Sequence, residues 1–308
     1  MRVLIELPSW IGDCVMATPS IENLTKIYPK IELIFLGPKA SIQIFANHPN
    51  CFKEFIFDRR IGSFLKIAKE IGNVDLFISF RGSIRTRLLS FFIKTNRFFQ
   101  YDKRKFALGH QVEKYNNFMN LTLGIDLKPN KLQIYSNKTK LINNLKPSIG
   151  LNPGAKYGSS KCWPPERYAE LASILSKDFN IIFFGGADEV ELCSIIESMI
   201  ENSSKKIINL SGKTSIQELI NYIKNLDFFI TGDSGSMHIA AAFGVPTVSI
   251  FGPTKTFETS QWKNKNSRIL KLDLDCQPCM KRECPLGHHK CMKDITVKDV
   301  LKELDKLT

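Results

Sequence analysis

The chain has 308 residues, 43% of them hydrophobic, which is enough for two α/β domains of about 150 residues with a buried core each. The formal net charge of +13 favours a polyanionic partner, whether nucleic acid, anionic lipid or a phosphorylated substrate, although scattered lysines also serve general solubility. No apolar run reaches the roughly 18 residues that span a bilayer, and Glu6 interrupts the apolar start too early for a secretory signal. We therefore expect the protein to be made and kept in the cytosol.

Short apolar runs alternate with helical patterns through the first half of the chain. The loop 8–13 leads into a helix that ends near Ile27, and Pro19 within it predicts a kink or a late start. Alternating strands and helices indicate a parallel sheet with helices on both faces. The predicted strands are 3–7, 33–36, 55–57 and 76–80, and the later helices are 65–71, 88–93 and 112–123.

A polar, Lys- and Asn-rich stretch at residues 125–146 is the predicted linker, so the two domains are expected at residues 1–146 and 147–308. The α/β pattern then restarts, and the last helix is a candidate to pack back on the N-terminal domain. The predicted strands of this half are 149–152, 181–184, 228–231 and 247–251, and its predicted helices are 164–175, 189–200, 237–243 and 297–307.

Two loops of the second half place small residues between a predicted strand and a helix. The sequence contains neither GxGxxG nor GxxxxGK[ST], so a standard dinucleotide fingerprint or a P-loop is not supported. Even so, free N–H groups and the positive dipole end of a helix bind phosphate, and the loops 232–237 and 152–164 both lead to such an end. Lys156 and Lys161 add cations, so a nucleotide diphosphate is favoured over the alternatives, an Asp or Ser helix cap and an ordinary surface loop.

The loop after the first strand carries a carboxylate, Asp13, next to Gly12. Ligand clefts of α/β proteins form at the carboxyl edge of the sheet, where this loop is expected to lie. A general base must lie within hydrogen-bond reach of the proton it removes, and Asp13 is a candidate for that role. Helix N-capping by Asp13 is an equally good interpretation.

Taken together, these segments resemble the ADP-heptose:lipopolysaccharide heptosyltransferases, and among them the heptosyltransferase II group. The resemblance runs in order from residue 3 to about residue 295. The combination of the DSGSMH and KCWP strings is specific, whereas either string by itself is weak. The segments that carry it are PSWIGD (8–13), PGA (153–155), KCWP (161–164), DSGSMH (233–238) followed by AAA (240–242), GPT (252–254), QPC (277–279) and GH (287–288).

The resemblance implies a GT-B fold, in which two Rossmann-like domains face each other across a cleft, with the acceptor on the first and the donor on the second. It implies inverting transfer of L-glycero-D-manno-heptose from ADP-heptose to a heptose of the lipopolysaccharide inner core, without a metal cofactor. By match, Asp13 is the general base and Lys161 meets the donor phosphates. The implied donor-binding residues are Gly154, Lys161, Gly186, Glu189, Asp233, Ser234, Gly235, Met237 and His238, and the acceptor-binding residues are Trp10, Gly12, Arg81 and Arg85.

The basic charge also fits an acceptor that is lipid-linked and acidic. We expect peripheral contact with the anionic inner face of the inner membrane, and no nucleic acid as partner. A solvated basic helix face remains the alternative for Arg81, Arg85, Arg87 and Arg97. Two other functions stay open: a GT-B enzyme with another nucleotide-sugar donor, and a basic nucleic-acid-binding protein, which would leave the Asp13, Lys161 and Asp233 loops unexplained.

Four of the eight cysteines cluster near the C-terminus as Cys276-x2-Cys279-x4-Cys284-x6-Cys291. Four thiolates can form a closed tetrahedral zinc site, and the first spacing is that of a zinc knuckle. The later spacings do not repeat it, and disulfides are not the rule in the cytosol. We therefore expect reduced, packed cysteines, with a structural zinc as the alternative.

Overall fold

The computed structural model describes residues 1–57, 63–137, 146–201 and 205–307. The chain divides into two compact units, Met1–Asn137 and Lys138–Thr308. We predicted the division between residues 146 and 147, at the end of a linker of which residues 138–145 lie outside the described part. Each unit has its own parallel sheet.

The first unit contains a five-stranded parallel sheet. Its strands are β1 (Arg2–Glu6), β2 (Glu32–Gly37), β3 (Cys51–Ile56), β4 (Leu76–Ser79) and β5 (Phe98–Gln100). They lie in the order β3-β2-β1-β4-β5, so β1 is central and pairs with β2 and β4. Val3, Leu4 and Ile5 of β1 are fully buried, as expected for a strand that helices cover on both faces.

Helices connect these strands. Those of the first unit are α1 (Ile11–Ile27), α2 (Lys39–Phe45), α3 (Ser63–Ile71), α4 (Ile84–Phe92) and α5 (Gln111–Leu123). On one face of the sheet, Ile71 of α3 and Leu89 of α4 share an apolar cluster with Leu4 and Phe77. Helices α1 and α5 pack against each other.

Helix α1 passes through Pro19 without a late start, since it already begins at Ile11. A proline in a helix removes the N–H that would bond to the carbonyl four residues earlier. Here that carbonyl belongs to Val15, and the Thr18 hydroxyl donates to it at 2.7 Å. The side chain next to the proline thus satisfies the acceptor that the proline leaves unpaired.

The second unit contains a six-stranded parallel sheet. Its strands are β6 (Ser148–Asn152), β7 (Asn180–Phe183), β8 (Ile207–Asn209), β9 (Phe228–Gly232), β10 (Thr247–Phe251) and β11 (Ser267–Lys271). They lie in the order β8-β7-β6-β9-β10-β11, so the first strand of the unit neighbours its fourth. This is the strand order of a Rossmann domain, and it confirms the predicted α/β class for this half.

The helices of the second unit are α6 (Pro165–Leu175), α7 (Val190–Ser198), α8 (Ile216–Ile223), α9 (Gly235–Ala242), α10 (Thr256–Thr259), α11 (Lys290–Lys293) and α12 (Val297–Asp305). The last helix, α12, was predicted as a candidate to pack back on the N-terminal domain, and its described core contacts lie in its own unit. Val297, Val300 and Leu304 form one apolar stripe of α12, and that stripe belongs to the core of the second unit. The helix packs there on α6, β10 and β11.

Within the described part of the chain, each helix is too short or too polar to cross a bilayer.

Candidate active site

Both sheets have a point at which the strand order reverses, between β1 and β4 in the first unit and between β6 and β9 in the second. Ligands of open α/β sheets bind outside the carboxyl ends of the strands at such a point. The segments singled out in the sequence follow these four strands. Asp13 comes after β1, Arg81 after β4, the loop 153–161 after β6, and Asp233 after β9.

At the reversal point of the second unit, Lys161 and Asp233 form a buried ion pair. The Lys161 ammonium lies 2.6 Å from Oδ2 of Asp233, with side chains 11% and 6% exposed, and also donates to the Asp233 carbonyl at 3.1 Å. The Thr254 hydroxyl donates to the same Oδ2 at 2.7 Å. A lysine with this little exposure and two fixed acceptors has a defined direction, which a free surface lysine lacks.

The start of α9 lies directly after this pair in the chain. Ser234 is the N-cap residue but makes no side-chain cap bond; its hydroxyl is instead 2.7 Å from Ser236 Oγ and 3.0 Å from Thr231 Oγ1. The first N–H groups of a helix have no acceptor within it and attract anions. The predicted pair of a lysine and a helix N-terminus is therefore brought together at one place.

Met237 and His238 are less suited to the donor-binding role that we predicted for them. Met237 is fully buried and His238 is 2% exposed, because both lie on the packed side of α9, a helix of small residues. Their side chains offer little surface to a ligand. We therefore assign the predicted donor contacts of this helix to the backbone N–H groups of its first turn, from Gly235 to Met237, and not to the side chains of Met237 and His238.

Gly154, Gly186 and Glu189 also come together, at the carboxyl ends of β6 and β7. The Gly186 N–H donates to Glu189 Oε2 at 2.6 Å. A Cβ on Gly154 would overlap the Glu189 carboxyl group, so the absence of a side chain at 154 makes room for this carboxylate. Glu189 is itself half-buried, so part of its side chain remains exposed.

In the first unit, Asp13 lies in the first turn of α1, behind the exposed N-cap residue Trp10. Tyr115 of α5 is 4% exposed and hydrogen-bonds through its hydroxyl to the Asp13 side chain. Burial, and then the Asp13 charge, raise the pKa of Tyr115 well above its ordinary value, so its hydroxyl stays protonated and donates. Gly12 and Asp13 are half-buried, as a site that meets a substrate requires.

Arg81 forms an ion pair with a buried carboxylate, Glu6. In the sequence, Glu6 stood out only as an interruption of an apolar run. Glu6 is 1% exposed and accepts from Ser79 Oγ at 2.6 Å and Thr86 Oγ1 at 2.7 Å, while Arg81 lies 3.6 Å away. Burial raises the pKa of Glu6, against the hydrogen bonds and Arg81, which lower it. Arg85 points elsewhere, with its guanidinium 5.5 Å from the centre of the Phe57 ring.

Three contributors were missed: Glu6, Tyr115 and Thr254. The signal for Glu6 was a carboxylate at the last position of an otherwise apolar central strand, where burial has to be offset by donors. Thr254 ends the GPT segment, for which no role was predicted. Tyr115 had no signal, because only the packing of α5 on α1 brings it to Asp13.

The two parallel-sheet α/β domains have the GT-B fold. A solved family 9 glycosyltransferase from Veillonella parvula matches with a TM-score of 0.85 and 23% identity, over 99% of this chain and 96% of that one. The E. coli ADP-heptose LPS heptosyltransferase II matches with a TM-score of 0.83 and 24% identity, over 100% and 98%.

Comparison with a family profile and with a relative identifies the family of this chain. The profile of glycosyltransferase family 9 (heptosyltransferase) matches residues 64–290. A lipooligosaccharide heptosyltransferase 2 of Campylobacter jejuni serotype O:2 is 38% identical over all of this chain and 98% of its own length. The chain belongs to glycosyltransferase family 9, the heptosyltransferases. This membership favours the glycosyltransferase interpretation over the nucleic-acid-binding one.

Proposed function

We propose that this enzyme adds the second heptose of the lipopolysaccharide inner core. It transfers L-glycero-D-manno-heptose from ADP-heptose to a heptose of that core, with inversion at the anomeric carbon. The observation that carries the proposal is the Lys161–Asp233 pair in front of α9, at the reversal point of the second sheet. The name of the Campylobacter jejuni relative supports the sugar, and the name of the E. coli structure supports the ADP donor.

The donor diphosphate binds, in this proposal, between Lys161 and the first turn of α9. An ammonium group has three N–H donors. Asp233 accepts from two of them, through its carboxylate and its carbonyl, and the third donates to the diphosphate. The Glu189 carboxylate, which fills the space beside Gly154, accepts from the ribose hydroxyls in this proposal.

Asp13 acts as the general base. It takes the proton of the acceptor hydroxyl while that oxygen bonds to the anomeric carbon, and the bond from this carbon to the ADP oxygen breaks. Tyr115 holds the carboxylate in place through its hydrogen bond. The negative charge that develops on ADP is stabilised by Lys161 and by the N–H groups of residues 235–237.

We propose that transfer needs no metal ion, because Lys161 and the N–H groups of residues 235–237 would stabilise the charge of the bound diphosphate. The initial rate measured directly after addition of EDTA should equal the untreated rate. Immediate loss of activity that Mg²⁺ or Mn²⁺ restores would contradict this and the role of Lys161.

We further propose that the enzyme acts at the cytoplasmic face of the inner membrane, in peripheral contact with it. Ile84, Leu88 and Phe91 of α4 are 79%, 50% and 82% exposed and lie on one helix face by their spacing. Arg87, on the same helix, is exposed, and Arg85 is half-buried. Apolar side chains with basic neighbours are the composition of a surface that binds anionic lipid.

A donor panel tests the reaction. Purified protein is offered ADP-heptose, UDP-sugars and GDP-sugars with an inner-core acceptor, and product is followed by mass. We expect turnover with ADP-heptose. Preference for a UDP-sugar would show that ADP-heptose is not the donor. Retention on heparin without ADP binding would favour the nucleic-acid-binding alternative.

A further inference from the structure

Four thiols line one small cavity in the second unit. Its volume is about 20 Å³, which is room for one water-sized occupant. All eight cysteines of the chain are free thiols, so no disulfide uses this group. The four that line the cavity are Cys276, Cys279, Cys284 and Cys291. We call residues 276–291, which carry them, the cysteine segment.

The cavity brings the four side chains to one place, although Cys276 and Cys291 are separated by 14 residues of chain. Cys291 is 7% exposed, and the other three are half-buried. Thiolates that face one cavity repel one another, and a cation among them removes that repulsion.

Cys284 accepts a hydrogen bond from the backbone. The His289 N–H donates to its sulfur at 3.3 Å. Donors of this kind stabilise a thiolate, which is the form that binds a metal. Met280 and His289 have positive φ angles of 55° and 51°, a conformation that residues with a Cβ rarely adopt.

We propose that these four thiolates bind one zinc ion. Thiolates are soft ligands that select zinc among the common divalent ions, and four of them close a tetrahedral site with no open position. A cavity with room for one small occupant fits a single ion better than an iron–sulfur cluster. In the described residues no three His, Cys, Asp or Glu side chains already stand close enough to hold an ion, so binding requires the thiols to rotate inward. Cysteine has staggered rotamers that allow such a rotation.

The metal site would act on the donor site through direct contacts. The cysteine segment holds the loop 153–161: Ser160 Oγ donates to the Lys281 carbonyl at 2.6 Å, and the Tyr157 hydroxyl to the Met280 carbonyl at 2.8 Å. His289 Nε2 is 2.9 Å from the Ser160 carbonyl. The ammonium of Lys161 lies 4.6 Å from the centre of the Tyr157 ring.

Residues 272–289, all of them described, contain no helix or strand, and Cys291 follows in α11. This stretch has little regular hydrogen bonding of its own, and a metal that ties it to α11 supplies folding free energy. The zinc therefore serves as a structural cross-link that keeps the Lys161 loop in place.

The test is the metal content of the full-length chain, purified under reducing conditions without a metal-affinity step. We expect about one zinc per chain by elemental analysis. Cys279→Ser and Cys284→Ser should reduce it to a trace, whereas the control Cys51→Ser, in the first unit, should retain it. Replacement by Co²⁺ should give the strong visible absorption of a tetrahedral cobalt thiolate.

The metal content of the wild-type protein tests the proposal even if the variants do not fold. Protein without zinc that also takes up no Co²⁺ while its thiols are reduced would overturn the proposal. Stoichiometric iron would overturn the assignment to zinc, and a disulfide among the four cysteines would overturn the site. Metal content is measured without substrate, so its outcome is independent of the proposed heptosyl transfer.

Discussion

The Asp13 carboxylate accepts a hydrogen bond from Tyr115 and is the proposed general base, and a substitution can separate these two roles. Asp13→Asn keeps the size of the side chain and an oxygen that accepts from Tyr115, but removes the base. We expect ADP affinity and melting temperature to be unchanged and turnover to fall by about 10²–10⁴-fold, the usual contribution of a positioned base. Steady-state kinetics and ADP titration provide the measurement.

The control for this variant is Asp126→Asn, an exposed carboxylate of the same unit. It should match the wild type in all three measurements. Turnover of Asp13→Asn near that of the control would remove Asp13 from the mechanism.

Lys161 is expected to affect both donor binding and stability. Lys161→Ala removes a charge-assisted hydrogen bond worth about 1.5–3 kcal/mol, so ADP-heptose should bind about 10- to 100-fold more weakly. It also leaves Asp233 without its counter-ion at 6% exposure, so the melting temperature should fall. Calorimetry for binding and thermal unfolding measure the two effects.

The double variant Lys161→Ala/Asp233→Ala distinguishes these effects. It removes the orphaned carboxylate, so stability should partly return while donor affinity stays low. Lys156→Ala, at an exposed lysine of the same loop, is the matched control and should bind normally. Normal binding by Lys161→Ala as well would show that its ammonium does not contact the diphosphate.

At the residue scale, the sequence could name Lys161 and Asp233 but not their pairing. They lie 72 residues apart, and only the adjacency of β6 and β9 brings their loops together. The same holds for Tyr115 and Asp13. Local patterns identify residues that follow strands, whereas their partners depend on strand order, which the chain sets through long-range packing.

At the scale of elements, central strands were predicted well and edge strands poorly. β1, β6 and β9 are continuous apolar runs because both their faces are covered. The edge strands β5 and β8 have three residues each and are only half-buried, so they leave almost no pattern to detect. β11, another edge strand, has Arg268 and Lys271 on either side of two apolar residues, and it was missed because no longer apolar run marks it.

Helix α9 shows why a weak pattern can still mark a site. Residues 236–241 of this helix are all buried, so it has no clear apolar stripe, but the small residues Gly235 and Ser236 indicated its start to within two residues. The predicted start was Met237 and the observed one is Gly235. Backbone that has to approach a ligand closely selects small residues.

Gly154 is expected to be required for the shape of the donor site. The Cβ of Gly154→Ala would overlap the Glu189 carboxyl group, which must then move. We expect a loss of about 1–3 kcal/mol in the free energy of unfolding, the range for overpacking, together with weaker ADP binding. Denaturant unfolding and ADP titration measure both.

Gly186→Ala is the steric control. Its Cβ would lie 3.8 Å from the same carboxylate, an ordinary contact, and its N–H remains in place. Its stability should equal that of the wild type. Equal stability of Gly154→Ala would mean that Glu189 has another place to go, and that the close approach at 154 has no role.

At the scale of the whole molecule, the net charge of +13 and the exposed apolar face of α4 both favour binding to an anionic lipid surface. Charge alone draws a protein towards anionic lipid, and exposed apolar side chains then enter the interface. Each contribution has its own dependence on conditions, because salt screens the first and not the second.

We expect the purified protein to sediment with phosphatidylglycerol vesicles, less so as salt is added, and poorly with phosphatidylcholine vesicles. Full burial of an apolar side chain contributes about 1.5–3 kcal/mol, so Ile84→Ser/Phe91→Ser should weaken vesicle binding by about tenfold or more without a change in fold. Phe257→Ser, at a phenylalanine 63% exposed in the second unit, is the control and should bind as the wild type does. If both variants bind equally, α4 does not contact the bilayer. Turnover of a soluble, delipidated acceptor should be the same for all three proteins, because α4 acts only where the acceptor is held in a membrane.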